Sequence, residues 1–242
     1  VIYFWYASRR EHLRAPWREV AQNSLAMASA TVLATFLVIA ILDSIHFFPR
    51  LDVVEGGEEQ VHYANEVISM FDLLVGPVRD QVEKTYSAPF ALYAFSKETI
   101  ELEDGRNVRD YPRLKYGGAH LSDVQERSRD IGKRVFLGLL CGLFTWLFIA
   151  SAILYWISRK TTRSLAIILG AVIRRDTGGP GRALLISTAT IVVIIGVCAA
   201  LAPHYHILGT DKVGTDVLYQ SLKSIRTGLI IGTLTTLVML PF

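Results

Sequence analysis

The residues best placed to do chemistry are concentrated near the carboxyl end, in His206–Gly232, HILGTDKVGTDVLYQSLKSIRTGLIIG. Two glycines (Gly209, Gly214) and two aspartates (Asp211, Asp216) alternate with Thr210 and Thr215 in a tight polar loop. Glycine permits sharp turns, while Asp and Thr satisfy loop backbone or cap a following helix. Asp216 is the expected N-cap of an amphipathic helix over 217–225, and Arg226 closes that helix before an uncharged run. His204 and His206 stand two apart and suit a metal, although two ligands are fewer than a complete site needs. Asp43 and His46, three apart and so on one helical face, suit either proton relay or cation binding, or a place among hydrated headgroups.

Other groups carry less. Glu58-Glu59 and Glu101-Glu103-Asp104 read as solvated turns. Tyr86, Phe90, Tyr93, Phe95, Tyr111 and Tyr116 form either a modest core or a ligand groove, with the core preferred. Thr177–Gly181 lacks the Lys-Ser/Thr of a phosphate loop and reads as a linker. Neither a Ser/His/Asp nor a Glu/Glu constellation is recognisable, so catalysis by this chain is not expected. Cys141 and Cys198 fall inside apolar runs and read as buried small residues.

The elements that must position these residues are membrane spans. Of the 242 residues, 51% are hydrophobic, and their distribution decides the class. Val20–Leu42, Val135–Ser158 and Ala183–Ala202 contain no charge. Each is long enough for ~30 Å of hydrocarbon at ~1.5 Å per residue. A fourth apolar run begins at Thr227 and continues to Phe242, so a longer natural protein is expected. The fold class is an α-helical integral membrane protein with a small α+β extracytoplasmic domain inserted between the first two membrane helices.

Arginine and lysine set the orientation. Arg9, Arg10, Arg14 and Arg18 precede the first run; Arg159, Lys160, Arg163, Arg174, Arg175 and Arg182 come after the second. Basic short flanks stay cytoplasmic. The partition is a cytoplasmic segment 1–19, a first membrane helix 20–48, an extracytoplasmic domain 49–134 and a second membrane helix 135–158. A basic cytoplasmic connector 159–182 is next, with Ser164–Ile173 as an interfacial helix. Then come a third membrane helix 183–203, an external loop and short helix 204–226, and the start of a fourth membrane helix 227–242. Val1–Ala7 is aromatic and too short to span, fitting an interfacial anchor. Within 49–134, helical spacing over 61–84 is interrupted at Gly76-Pro77. Ala91–Leu102 reads as a strand, Asp104-Gly105 as a hairpin turn and 108–116 as the returning strand. Ser122 caps a helix that continues into the second span.

The His206–Gly232 stretch resembles the second-type permease subunit of the peptide/nickel (oligopeptide/dipeptide) family of ABC importers. That family carries H-x-LGTD-x-x-GRDV-L-x-x-L-x-x-GAR-x-SL-x-x-G before a membrane helix. His206, Leu208, Gly209, Thr210, Asp211, Gly214, Asp216, Val217, Leu218, Leu222, Arg226, Leu229 and Gly232 fit at the same spacing. Thr215 stands in place of Arg, Ser224-Ile225 in place of Gly-Ala, and Gly228 in place of Ser. The resemblance covers only about the last 40 residues and implies a transporter subunit working by alternating access. It implies as partners a second permease subunit, two cytoplasmic ATPase subunits, an extracytoplasmic substrate-binding protein and the lipid bilayer, with no nucleic acid. ATP-Mg would sit on the ATPases, and this chain would carry no cofactor. The location implied is the bacterial inner membrane, with Gly209–Asp216 in an external gate or docking surface and Lys223 and Arg226 at its base. The alternatives are a membrane sensor with an extracytoplasmic ligand-binding domain, and an assembly factor holding another membrane subunit.

Overall fold

Asn23 separates the first two helices of the described residues. Its side-chain oxygen accepts hydrogen bonds from the amides of Leu25 and Ala26, at 2.9 and 3.4 Å, so it caps the second of them. A computed structural model of the chain describes residues 11–48, 67–101, 107–161 and 178–240. Before Asn23 lies α1 (Glu11–Gln22), and after it α2 (Ser24–Ser44). The uninterrupted run expected from Val20 is thus divided, because Asn competes for helix amides better than it propagates a helix. The described chain is mostly helical: α3 (Met70–Leu74), α4 (Gly76–Arg79), α5 (Arg127–Thr161), α6 (Gly178–Leu201) and α7 (Val217–Met239) complete the helices.

Four helical stretches, Ser24–Ser44, Val124–Trp156, Pro180–Leu201 and Val217–Met239, are long and apolar enough to cross a membrane. Their windows are at most 11% buried within the chain itself. Apolar helices with so little protein around them fit a helical membrane protein, in which lipid or further helices cover the surface.

Strands are few. β1 (His46–Phe47) pairs antiparallel with β2 (Ile68–Ser69), and β3 (Glu98–Glu101) pairs antiparallel with β4 (Asn107–Asp110). The β3–β4 register sets Glu101 opposite Asn107, so the expected hairpin is present although its turn lies outside the described residues. Also outside them lie the Val1–Ala7 anchor, Glu58-Glu59, the start of the 61–84 helix and the Ser164–Ile173 interfacial helix.

Several expectations change. The strand expected over 91–102 is ordered as β only from Glu98; Leu92–Ala94 instead joins 112–114 through Ala94 N–H to Pro112 O and Leu114 N–H to Leu92 O. In the described part of the 61–84 helix only α3 and α4 are helical, with the interruption at Val75 and Pro77 in the first turn of α4, where its missing N–H costs nothing. Ser122 is not the cap: Asp123 accepts from Gln125 N–H and opens a short 3-10 turn leading into α5. Gly178–Gly181 are the first turn of α6, not a linker. His46 leaves the helix for β1, so it shares no helical face with Asp43. The six aromatics are no core either; Tyr86, Tyr93, Tyr111 and Phe95 are exposed. The core nearby consists of Phe71, Val78, Leu92, Leu114, Leu121, Leu201 and Tyr205.

The chain divides into two compact units, Val1–Thr35 with Val135–Cys198, and Phe36–Arg134 with Ala199–Phe242. In the first, α5 and α6 run antiparallel with glycine on glycine. A Cβ at Gly196 would stand 2.8 Å from Gly138 O and 2.9 Å from Gly142 Cα; one at Gly142 would stand 2.8 Å from Val193 Cα. Gly138 and Gly142, four apart, let the backbones meet, as small residues do between helices in lipid. One turn further, Trp146 Nε1 donates to Thr188 Oγ1 at 3.3 Å.

Substituting Gly196→Val therefore forces the two helices apart. It should lower the stability of the purified chain by about 1–3 kcal/mol, the usual range for overpacking. Gly232→Ala, whose added Cβ meets nothing within 4 Å, should not. Thermal unfolding in detergent of both variants checks this pair of outcomes.

Candidate functional site

Pro203 ends the α6 segment, and the turn after it delivers His206 into a fully buried position. There the imidazole lies between two carboxylates. Nδ1 is 2.7 Å from Asp216 Oδ2 and Nε2 is 3.4 Å from Glu83 Oε1. Each carboxylate is held in turn by backbone amides. Glu83 accepts from Lys115, Tyr116 and Gly117 N–H at 2.9, 2.7 and 3.2 Å. Asp216 caps α7, accepting from Leu218 and Tyr219 N–H, as its place before Val217 predicts. Two buried negative charges thus meet amide dipoles, a helix N-terminus and one imidazolium.

The charge states are set by this arrangement. Burial alone would push His206 down, but its hydrogen bonds to Asp216 and Glu83 prevail and raise it from 6.5 to about 9. Burial would raise Glu83, yet the His206 and backbone bonds bring it down from 4.5 to about 2.

The loop is fastened to the 83–90 segment along its length. Gly209 and Gly214 have φ of 78° and 83°, and Cβ atoms there would fall 2.3 Å from Ser87 O and 1.8 Å from Glu83 O. Both conformation and space therefore demand glycine. Thr210 N–H donates to Ser87 O, and its hydroxyl lies 2.9 Å from Thr85 O. Glu83 N–H donates to Gly214 O, and Phe90 N–H to His206 O. Asp211 ties the loop to itself, accepting from Val213 and Thr215 N–H and from Gln220 Nε2. Its carboxyl is held below the usual range by these bonds, Gln220 first. Lys212 and Val213 form the exposed tip, with Leu208 also exposed.

Below the loop, α7 presents Tyr219, Lys223 and Arg226 on one face. Tyr219 Oη donates to Asp72 Oδ1 at 2.6 Å, and Lys223 Nζ stands 2.9 Å from both Asp72 oxygens. Asp72 also completes a capping box with Ser69 at the start of α3. Burial would raise the Asp72 carboxyl, but Tyr219, Ser69 and Lys223 together hold it well below the usual range. Arg226 Nε is 3.2 Å from Asp43 Oδ2, and its Nη1 donates to the Asp43 carbonyl at 2.9 Å. Ser69 Oγ donates to the other Asp43 oxygen. Fully buried at the end of α2, Asp43 is thus paired with a cation and a hydroxyl.

Of the residues singled out by spacing, His206, Gly209, Thr210, Gly214 and Asp216 converge on the clamp. Val217 opens α7, and Asp211 shapes the exposed tip. Arg226 belongs to the Asp43 pair, and Gly232 lies in open space along α7. His204 and His206 do not share a ligand sphere. His204 packs edge-on against His120, with ring centroids 5.1 Å apart, while both nitrogens of His206 face carboxylates. Among the described residues no group of three or more His, Cys, Asp or Glu suits a metal. Glu83, Asp72 and Tyr219 are not distinguished by type or spacing, and the Ser69-x-x-Asp72 capping pattern is the one signal that points to any of them. A cleft of about 330 Å³ lies between 82–85 and 112–115, walled by Lys84, Glu98, Arg113 and Lys115 rather than by the expected aromatics.

No family model, curated protein or solved structure matches the chain. The described residues define a class, a mostly helical chain with four potential membrane spans and a buried His–carboxylate clamp at the start of the last of them.

The clamp carries a pH signature. His206 contributes stability that is complete below its ordinary 6.5 and is lost as pH rises through about 9; Glu83 contributes above 4.5 and is lost as pH falls through about 2. Replacing the cation, His206→Gln, leaves two buried carboxylates facing each other and should cost about 3–5 kcal/mol near pH 6. The gap between variant and wild type should close as pH rises through about 9. Thermal unfolding in detergent across that range measures it; a gap independent of pH would count against an imidazolium.

Proposed function

We propose that this chain is a membrane-spanning permease subunit of an ATP-driven importer of the peptide/nickel kind. The observation that carries the reading is the agreement between signature spacing and loop mechanics. The two glycines that match the family motif stand where no other residue fits, and the matching His206, Thr210 and Asp216 are the groups that fasten the loop. A stiff external loop is what alternating access needs at a gate: closure must occur at a defined geometry to prevent leak.

In this reading, residues 204–226 and a small α+β domain within 49–134 lie on the outer side of a bacterial inner membrane. The N-terminus and the basic connector 159–182 lie inside, because their arginines and lysines resist export. Peptide is the favoured cargo, delivered by an extracytoplasmic binding protein. A second permease subunit completes the path, and two cytoplasmic ATPases, with their ATP-Mg, drive it. Asp211 holds the shape of the exposed tip without touching the core of the clamp, which suits a docking or gating contact.

Two measurements test this. Affinity purification of the full chain from its native membrane should bring down ATP-hydrolysing subunits, and a preparation that contains none would overturn the transporter reading. Lys212→Cys, in a background with Cys141 and Cys198 changed to serine, should react with an impermeant maleimide in intact cells; Lys212 is exposed at the loop tip. Labelling confined to lysed cells would reverse the orientation.

A further inference from the structure

The amphipathic helix α1 stands out among the helices that precede or follow a span. Its twelve residues are on average too polar to cross a bilayer, yet their apolar members gather on one side. Pro16, Trp17, Val20 and Ala21 fall within one arc, and Arg18, Glu19 and Gln22 within the opposite one. By contrast α2, one residue later, is apolar all round, with almost no sidedness. Among the described residues nothing covers the apolar arc of α1: Trp17 is 64% and Val20 50% exposed.

Chain continuity restricts what can cover that arc. Only Asn23 separates α1 from α2, and α2 is long and apolar enough to span. The last turn of α1 is therefore held where that span meets the headgroups. Asn23 caps α2 and interrupts the helix, which frees α1 from continuing in the direction of the span. Trp is the side chain most at home at headgroup depth. Arg14 and Arg18 are balanced by Glu11 and Glu19, but Arg9 and Arg10 precede them in the sequence and leave the region basic. A polar helix with a strong apolar side, an aromatic anchor and basic flanks is the pattern of a helix lying in the membrane plane.

We infer that α1 is an interfacial helix, lying along the headgroup layer at the start of α2 with Trp17 and Val20 in the acyl boundary and Arg18 and Gln22 in water. Its occupant is the phospholipid surface itself. The helix fixes the depth of α2 and stops that span from sliding along the bilayer normal. This holds whether or not the chain is a transporter; it needs only that α2 crosses the membrane.

Site-directed spin labelling of the full chain tests it. Cysteines placed singly at Trp17, Arg18, Val20 and Gln22, with Cys141 and Cys198 changed to serine, are labelled and reconstituted into vesicles of phosphatidylethanolamine and phosphatidylglycerol. All four positions are exposed, so the labels disturb no packing. The ratio of oxygen to nickel-chelate accessibility should be severalfold higher at 17 and 20 than at 18 and 22. Uniform nickel accessibility would mean that α1 stands in water. Low accessibility to both reagents at 17 and 20 would mean that protein covers the arc. Either result overturns the inference.

Discussion

A buried imidazole between two buried carboxylates is the constraint on which the second compact unit depends. Removing three ionisable groups from water is costly, and the geometry offsets that cost only if every lone pair and proton is met. Glu83 therefore needs three consecutive amides at 115–117, which forces that turn against the 83–90 segment. Asp216 needs the N-terminus of α7, which fixes where that helix begins. The glycines at 209 and 214 are required in consequence, because the loop between the two partners must lie directly on the backbone of Ser87 and Glu83. One electrostatic requirement thus dictates a turn, a helix start and two close approaches.

The Asp72 and Asp43 pairs extend the same logic along α7. Tyr219, Lys223 and Arg226 recur at helical spacing, and each meets a carboxylate from an earlier part of the chain. Charged side chains near a membrane span are costly unless paired, and here the partners are supplied by the ends of α2 and α3. The first unit relies on different physics. Its α5–α6 contact has glycine backbones meeting along two long apolar helices, where close packing rather than charge brings them together.

What could be read from the sequence divides along the same line. The apolar runs, the Asp216 cap and the hairpin are local, and local rules find them. The glycines are visible as turn formers, but not the reason that no other residue fits, since Ser87 O and Glu83 O arrive from a distant segment. Glu83 is illegible because nothing in its neighbourhood distinguishes a clamp carboxylate from a solvated one. His46 and Ser122 mislead because helix ends are decided by whichever cap competes best, and Asp123 and the Ser44 terminus prevail. The aromatics around 86–116 suggest a core by type alone, whereas burial goes to Leu92, Leu114 and Leu121.

Glu83 and His206 are 123 positions apart. Ribosomes add roughly 5–20 residues per second, so the carboxylate emerges on the order of 6–25 s before the ring that neutralises it. The acid-bearing segment is therefore made well before its partner, and the compact unit can close only after the chain has been synthesised through the start of α7. Assembly of this half of the molecule is therefore a late event, timed by translation rather than by the intrinsic speed of its short helices and hairpins.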